Sequence, residues 1–98
     1  MRLKVAISSA LLRAERKAAN AEEWYRKAAD AGDAGAMFNL GILLRKWGNA
    51  GEAEEWYRRA ADAGLTDAMV NLGILQEDQG NAAEAEEWYR KAADHDRA

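Results

Sequence analysis

The sequence has no cysteine, no proline, one histidine and one phenylalanine, with only eight glycines in 98 residues. Without cysteine there are no disulfides, thiolate nucleophiles or sulfur-ligated metals, and His95 by itself cannot make a histidine metal site. Without proline, glycine is the only strong helix breaker left. Neither sign of charge forms a block. Fourteen Lys and Arg are interspersed with seventeen Asp and Glu for a formal net charge of -3, so the basic patch of a nucleic-acid binder is missing. No run approaches the roughly 20 apolar residues of a membrane-spanning helix. The stretch from Val5 to Leu12, behind Arg2 and Lys4, has the outline of a signal peptide, but it is short and ends at Arg13. A cytoplasmic location is therefore the default expectation. A chain of this length buries little more than half of the surface its unfolded form exposes, so a deep catalytic pocket is not expected.

What the sequence does contain is self-similarity. The string from Ala21 to Gly32, Ala-Glu-Glu-Trp-Tyr-Arg-Lys-Ala-Ala-Asp-Ala-Gly, returns at Ala53 to Gly64 with one Lys replaced by Arg. It returns again from Ala85 until it diverges at His95, so Trp24, Trp56 and Trp88 are 32 residues apart. Between the copies lies a second element, Ala36 to Leu43, matched by Ala68 to Leu75. Apolar residues recur three and four apart in both, at Ala53, Trp56, Tyr57 and Ala60 and at Met37, Leu40, Gly41 and Leu44, which predicts helices. Glu22/Arg26, Glu23/Lys27, Glu54/Arg58, Glu55/Arg59, Glu86/Arg90 and Glu87/Lys91 stand four apart with the acid first. That is the pattern of a solvated helix face, not of paired catalytic carboxylates.

Glycine punctuates the pattern. Gly48-Asn49 and Gly80-Asn81 read as a helix stop followed by an N-cap, with Glu52 and Glu84 as capping-box partners three residues on. Gly32 and Gly64 end the Trp-Tyr helices, with Asp33 and either Thr66 or Asp67 placed to cap the next helix. No glycine cluster has the spacing of a nucleotide-binding loop. The expected fold is all-α, a single domain over residues 1–98 built as an α-solenoid of stacked antiparallel helix-turn-helix hairpins. Its units are 1–32, which is degenerate, 33–64 and 65–98.

Leu40-Gly41, Leu44, Ala53, Tyr57 and Ala60, with Leu72-Gly73, Ala85, Tyr89 and Ala92, resemble the tetratricopeptide repeat. The Trp-Tyr-Arg-Lys/Arg-Ala-Ala-Asp-Ala-Gly string resembles the Sel-like branch of that superfamily, although the longer loop usual in that branch is missing. A mid-helix glycine costs about 1 kcal/mol against alanine, so Gly41 and Gly73 imply close approach of a neighbouring helix. The resemblance implies a protein-protein interaction module without catalysis or cofactor, whose first helices line a shallow groove. It places Asn39 and Asn71 where an amide, both donor and acceptor, would hold a peptide backbone. Phe38, Ile42, Val70 and Ile74 would add apolar contact, with Arg45 and Lys46 at one end and Glu77 and Asp78 at the other. The plainer reading keeps both asparagines bonded within the stack and the apolar residues in the core. Trp47 belongs to neither repeated element and reads either as an exposed anchor for a partner or as packed on the adjacent hairpin.

Unit one departs from the pattern, because Ser8-Ser9 replaces Leu-Gly and Arg16-Lys17 replaces the Gly-Asn turn. Its composition favours one continuous helix of about 40 Å. The alternative keeps a tight turn near Ala18-Ala19, capped by Asn20 with Glu23. In a continuous helix Val5, Ile7, Leu11 and Leu12 cannot fold back onto Trp24 and Tyr25. A second copy of the chain is then the natural cover, giving a homodimer by exchange of identical elements. At the other end the third Trp-Tyr helix is followed by no capping helix, so Trp88 is expected to be partly exposed or mated with another molecule. The leading expectation is a self-associating module that binds a peptide or protein. The alternative is a purely structural or designed scaffold whose only partner is itself.

Overall fold

The computed structural model describes the backbone of residues 9–97 and the side chains of Arg13, Arg16, Lys17 and residues 19–97. Five helices follow one another over this range: α1 (Ser9–Asp30), α2 (Ala34–Lys46), α3 (Ala50–Asp62), α4 (Thr66–Asp78) and α5 (Ala82–Arg97). Helices α2 and α3 form one antiparallel hairpin and α4 and α5 the next, with α1 packed on α2 and α3 on α4. The radius of gyration is 17.0 Å, against about 13 Å for a compact domain of this length. The chain is an open stack.

Glycine sets where each helix ends. Gly32, Gly48, Gly64 and Gly80 have φ of +97°, +78°, +92° and +82°, left-handed conformations that side chains with a Cβ resist. Each reversal lets the next backbone N–H reach back to a late carbonyl, as Asn49 does to Leu44 at 2.9 Å and Asn81 to Gln76 at 2.8 Å. Arg16-Lys17 has no such residue, and α1 runs through it unbroken for 22 residues, or about 33 Å at 1.5 Å per residue.

The glycines inside the helices explain why unit one does not close. A Cβ on Gly41 would lie 2.6 Å from Cε1 of Tyr57, and one on Gly73 would press on the Tyr89 ring in the same way. The ring lies directly on the helix backbone, and Tyr57 is 1% exposed as a result. Ser9 holds this position in unit one. Unit one therefore lacks both the turn and the contact that fold the other two.

Leu40, Leu72, Ala60 and Ala68 are fully buried, and alanines at Ala53, Ala61, Ala85 and Ala92 let the helices approach closely. Between units a ladder of charge runs in one direction. Arg26 of α1 reaches Glu52 of α3 at 2.9 Å, and Arg58 of α3 reaches Glu84 of α5 at 3.3 Å. Each arginine also holds a glutamate one turn back, Glu22 at 3.1 Å and Glu54 at 3.3 Å. The hydrogen bond to Glu52 raises the Arg26 pKa, and burial partly opposes it. These pairs are partly exposed, so each contributes about 0–1 kcal/mol and mainly sets register.

Some capping expectations need correction. Asp33 caps α2, accepting from the Ala36 N–H at 3.1 Å. Asn49 makes no side-chain cap and donates its amide to Glu52 at 3.0 Å, while Glu52 and Glu84 take the arginine of the preceding unit. Thr66 and Asp67 lie inside α4, whose cap position is Leu65. Of the six expected four-apart ion pairs, Glu22/Arg26, Glu54/Arg58 and Glu86/Arg90 form. In the other three the cation lies over the tryptophan three residues back: Lys27 over Trp24 at 5.9 Å, Arg59 over Trp56 at 4.8 Å and Lys91 over Trp88 at 4.5 Å.

The expectation for Trp88 is overturned: it is 8% exposed and Trp56 is 7% exposed, whereas Trp24 is 72% exposed. The Trp88 indole faces the preceding unit, with the Arg58 guanidinium 6.0 Å from its ring. The first tryptophan of the series is thus the bare one.

Among the described residues one buried side chain is polar. Gln76, 2% exposed, donates to Glu54 at 2.8 Å and accepts from the Asn81 amide at 2.9 Å, tying α3, α4 and the following turn together. Its counterpart in unit two is Leu44. Gln76→Leu should cost about 1 kcal/mol or less in urea unfolding, because Glu54 and Asn81 can still reach water. Gln76→Ala, which also leaves a cavity, should cost about 2–3 kcal/mol.

Candidate partner-binding groove

The first helices of units two and three, α2 and α4, share a depression of about 500 Å³ lined by Ile42, Arg45, Lys46, Tyr57 and Asn71. They lie side by side because α3 separates them in sequence and packs on both. Tyr57 is the floor, its ring lying on Gly41 and beside Phe38, whose ring centroid is 5.8 Å away. Burial pushes the Tyr57 hydroxyl above its ordinary value, and the Arg45 charge opposes this. Arg45 also spans the units to Asp78 at 3.5 Å, so the charges foreseen at opposite ends of the groove meet across it.

The remaining residues singled out from sequence are spread along the same helices. Asn71, which lines the depression, donates its amide to the Asp67 carbonyl one turn back at 3.0 Å. Asn39 is exposed on α2. Phe38 is half-buried against the core. Val70 and Ile74 are exposed along α4 at 37% and 39%. Trp47 caps the end of α2 and is 47% exposed. On α1, Trp24 is exposed, the backbone of Leu11 and Leu12 lies in the helix, and Val5 and Ile7 lie outside the described residues.

Tyr57 is the groove residue that sequence reasoning missed. Its spacing marked it as core, and it is core; the ring edge simply serves both sides. A second depression of about 400 Å³, lined by Met69, Lys91, Asp94 and His95, lies where α5 passes α4. Its residues fall partly beyond the point where the repeat diverges, so the period gave no signal for it. Among the described residues no cluster of His, Cys, Asp and Glu is placed to hold a metal, and no helix is long and apolar enough to cross a membrane.

Comparison with known proteins agrees with this architecture. Tetratricopeptide repeat models match residues 34–63 and 66–98, and a Sel1 repeat model matches residues 14–33. A search of curated protein sequences found no match. Among solved structures the fold is similar to that in "Crystal structure of MamA", with a TM-score of 0.71 and 22% identity over 83% of this chain. The chain spans 50% of that protein's length, and at this identity the likeness is one of fold. The matched segments follow one another in register with the helices, and the chain belongs to the tetratricopeptide and Sel1-like family of helical repeat proteins.

Proposed function

We propose that the chain is a non-catalytic interaction module whose α2–α4 groove takes a short extended segment of a partner protein. The observation that carries this reading is the depression over Tyr57, where Ile42 offers apolar contact beside the Asn71 amide and the Arg45 and Lys46 cations. Val70 and Ile74 are further exposed apolar residues of α4, the helix that carries Asn71. Such a site suits a segment with an apolar side chain and free backbone groups, and with one groove of this size the affinity is modest. The test is selection from a displayed library of short random peptides, followed by NMR shift mapping of the tightest binder. Shifts should centre on Ile42, Asn71 and Ile74, and Ile74→Asp should weaken binding about tenfold, roughly 1.4 kcal/mol, without lowering thermal stability. Absence of binders, or shifts confined to α1 or α5, would overturn the proposal.

A second reading is favoured by Trp24, 72% exposed in a string whose other copies are buried. Self-association through α1 would cover it, and light scattering of the purified chain reads this directly as a doubled mass.

A further inference from the structure

The two helices that border the groove are close copies in sequence and opposites in charge. The charged residues of α2 are Arg45 and Lys46, both in its last turn, whereas those of α4 are Asp67 near its start and Glu77 and Asp78 at its end. Glu77 and Asp78 hold the positions of Arg45 and Lys46 one repeat on. The last carbonyls of a helix leave a partial negative charge, which cations stabilise and acids do not. The terminal charges of α2 therefore support their helix, and those of α4 oppose theirs.

The contact that Asp78 makes does not explain its place by stability. It reaches Arg45 at 3.5 Å, with the Asp78 and Arg45 side chains 62% and 40% exposed. A strong charge-assisted contact is about 2.7–2.9 Å long, and an exposed pair adds little to folding. Asp78 therefore holds Arg45 loosely. The depression over Tyr57 is lined by Arg45 and Lys46 and by no acid, with Ile42 for apolar contact. Arg45 is near enough to Tyr57 for its charge to oppose the effect of burial on the hydroxyl. Among the described residues Lys46 forms no ion pair.

Building on the groove reading above, we infer that the partner segment carries an aspartate or glutamate side chain that sits on Arg45 and Lys46, with Asp78 as a built-in competitor for that seat. In the empty groove Asp78 neutralises Arg45. On binding, the incoming carboxylate takes the guanidinium with Lys46 beside it, and an apolar neighbour of the acid lies on Ile42 and the edge of Tyr57. A side chain is the source of the carboxylate, because Asp78 already presents the guanidinium with that same group. The competition gives selectivity. A neutral segment either leaves Arg45 engaged with Asp78 or breaks that pair and puts no charge in its place, whereas an acidic one replaces it.

The experiment takes the peptides selected in the groove test and synthesises them with acetylated N-termini and amidated C-termini, so that side chains supply the only carboxylates. Those whose shifts map to Ile42 and Asn71 should share an Asp or Glu beside an apolar residue. Replacing that acid by its amide should weaken binding about threefold to fivefold, the range of an exposed ion pair, and rising salt should erase the difference. Asp78→Asn should tighten the acidic peptide by a similar factor and leave the amide peptide unchanged. It should not lower the thermal midpoint, since it removes an acid from the end of α4. In an Arg45→Gln background the gain from Asp78→Asn should vanish. Three results would overturn the competition and leave the groove standing: groove binders without an acid, binding that is lost on amidation of the C-terminus, or an Asp78→Asn variant that melts earlier and binds no tighter. Absence of any binder overturns the groove reading, and the competition with it.

Discussion

Valine at Gly41 should destabilise the protein by about 3 kcal/mol, lowering the thermal midpoint by roughly 12–24 °C for a domain of this size. The physical cause is the absence of space, since a Cβ there would meet the Tyr57 ring at 2.6 Å. That ring has little room to retreat, because Tyr57 is 1% exposed within the core cluster and also touches Phe38. Alanine at the same position tests the balance more finely. It gains about 1 kcal/mol of helix propensity and loses about 2 kcal/mol to overpacking, for a net loss of about 1 kcal/mol. Gly51 is the control, since nothing lies within 4 Å of a Cβ built there. Gly51→Ala should stabilise by several tenths of a kcal/mol, up to about 1. Calorimetry of the three variants separates steric from conformational cost, and a stabilised Gly41→Ala would show that the Tyr57 contact is looser than described.

Truncating Trp56 and Trp24 should give opposite results although their flanking strings differ only by Arg59 in place of Lys27. Trp56→Ala removes a ring that is 7% exposed and takes with it the surface on which Arg59 stacks at 4.8 Å. The expected loss is about 3–5 kcal/mol, a large part of the stability of any small domain. Trp24 is 72% exposed, and Trp24→Ala should change the unfolding free energy of a single chain by no more than about 0.5 kcal/mol. Urea unfolding at low protein concentration reads both. Equal losses would mean that the first indole is covered within its own chain.

These contrasts show which parts of the fold were legible. The hairpins were readable because Leu-Gly and Gly-Asn each have a local physical meaning: one marks a helix that must be approached closely, the other a reversal. The fused α1 was readable for the same reason in reverse, since Ser9 and Arg16-Lys17 remove both. The direction of the tryptophans was not readable. A period of 32 residues says that the three indoles are equivalent but not which neighbour each one faces, so it leaves both Trp24 and Trp88 open, and only Trp24 is exposed. Glu52 and Glu84 were drawn into local caps because a capping box is visible in sequence, whereas an arginine 26 positions earlier becomes a partner only once the stack exists. Gln76 did leave a trace, as the place where unit three departs from Leu44.

The groove was legible only in outline. Helix periodicity put Ile42 and Arg45 on one helix and Asn71 on another, but their convergence on Tyr57 depends on how α3 spaces the two. A residue cannot be seen from sequence to serve the core with one face and a groove with its edge.

The arginine ladder makes the architecture divisible. Arg26 meets Glu52, and Arg58 meets Glu84, across the same interval. Excising residues 33–64 would bring Arg26 to Glu84 at that interval, with Leu65, which makes no side-chain cap, following Gly32 in place of the capping Asp33. The ladder is thus written in a 32-residue period, and its pairing survives the gain or loss of a whole unit even where other contacts between units change.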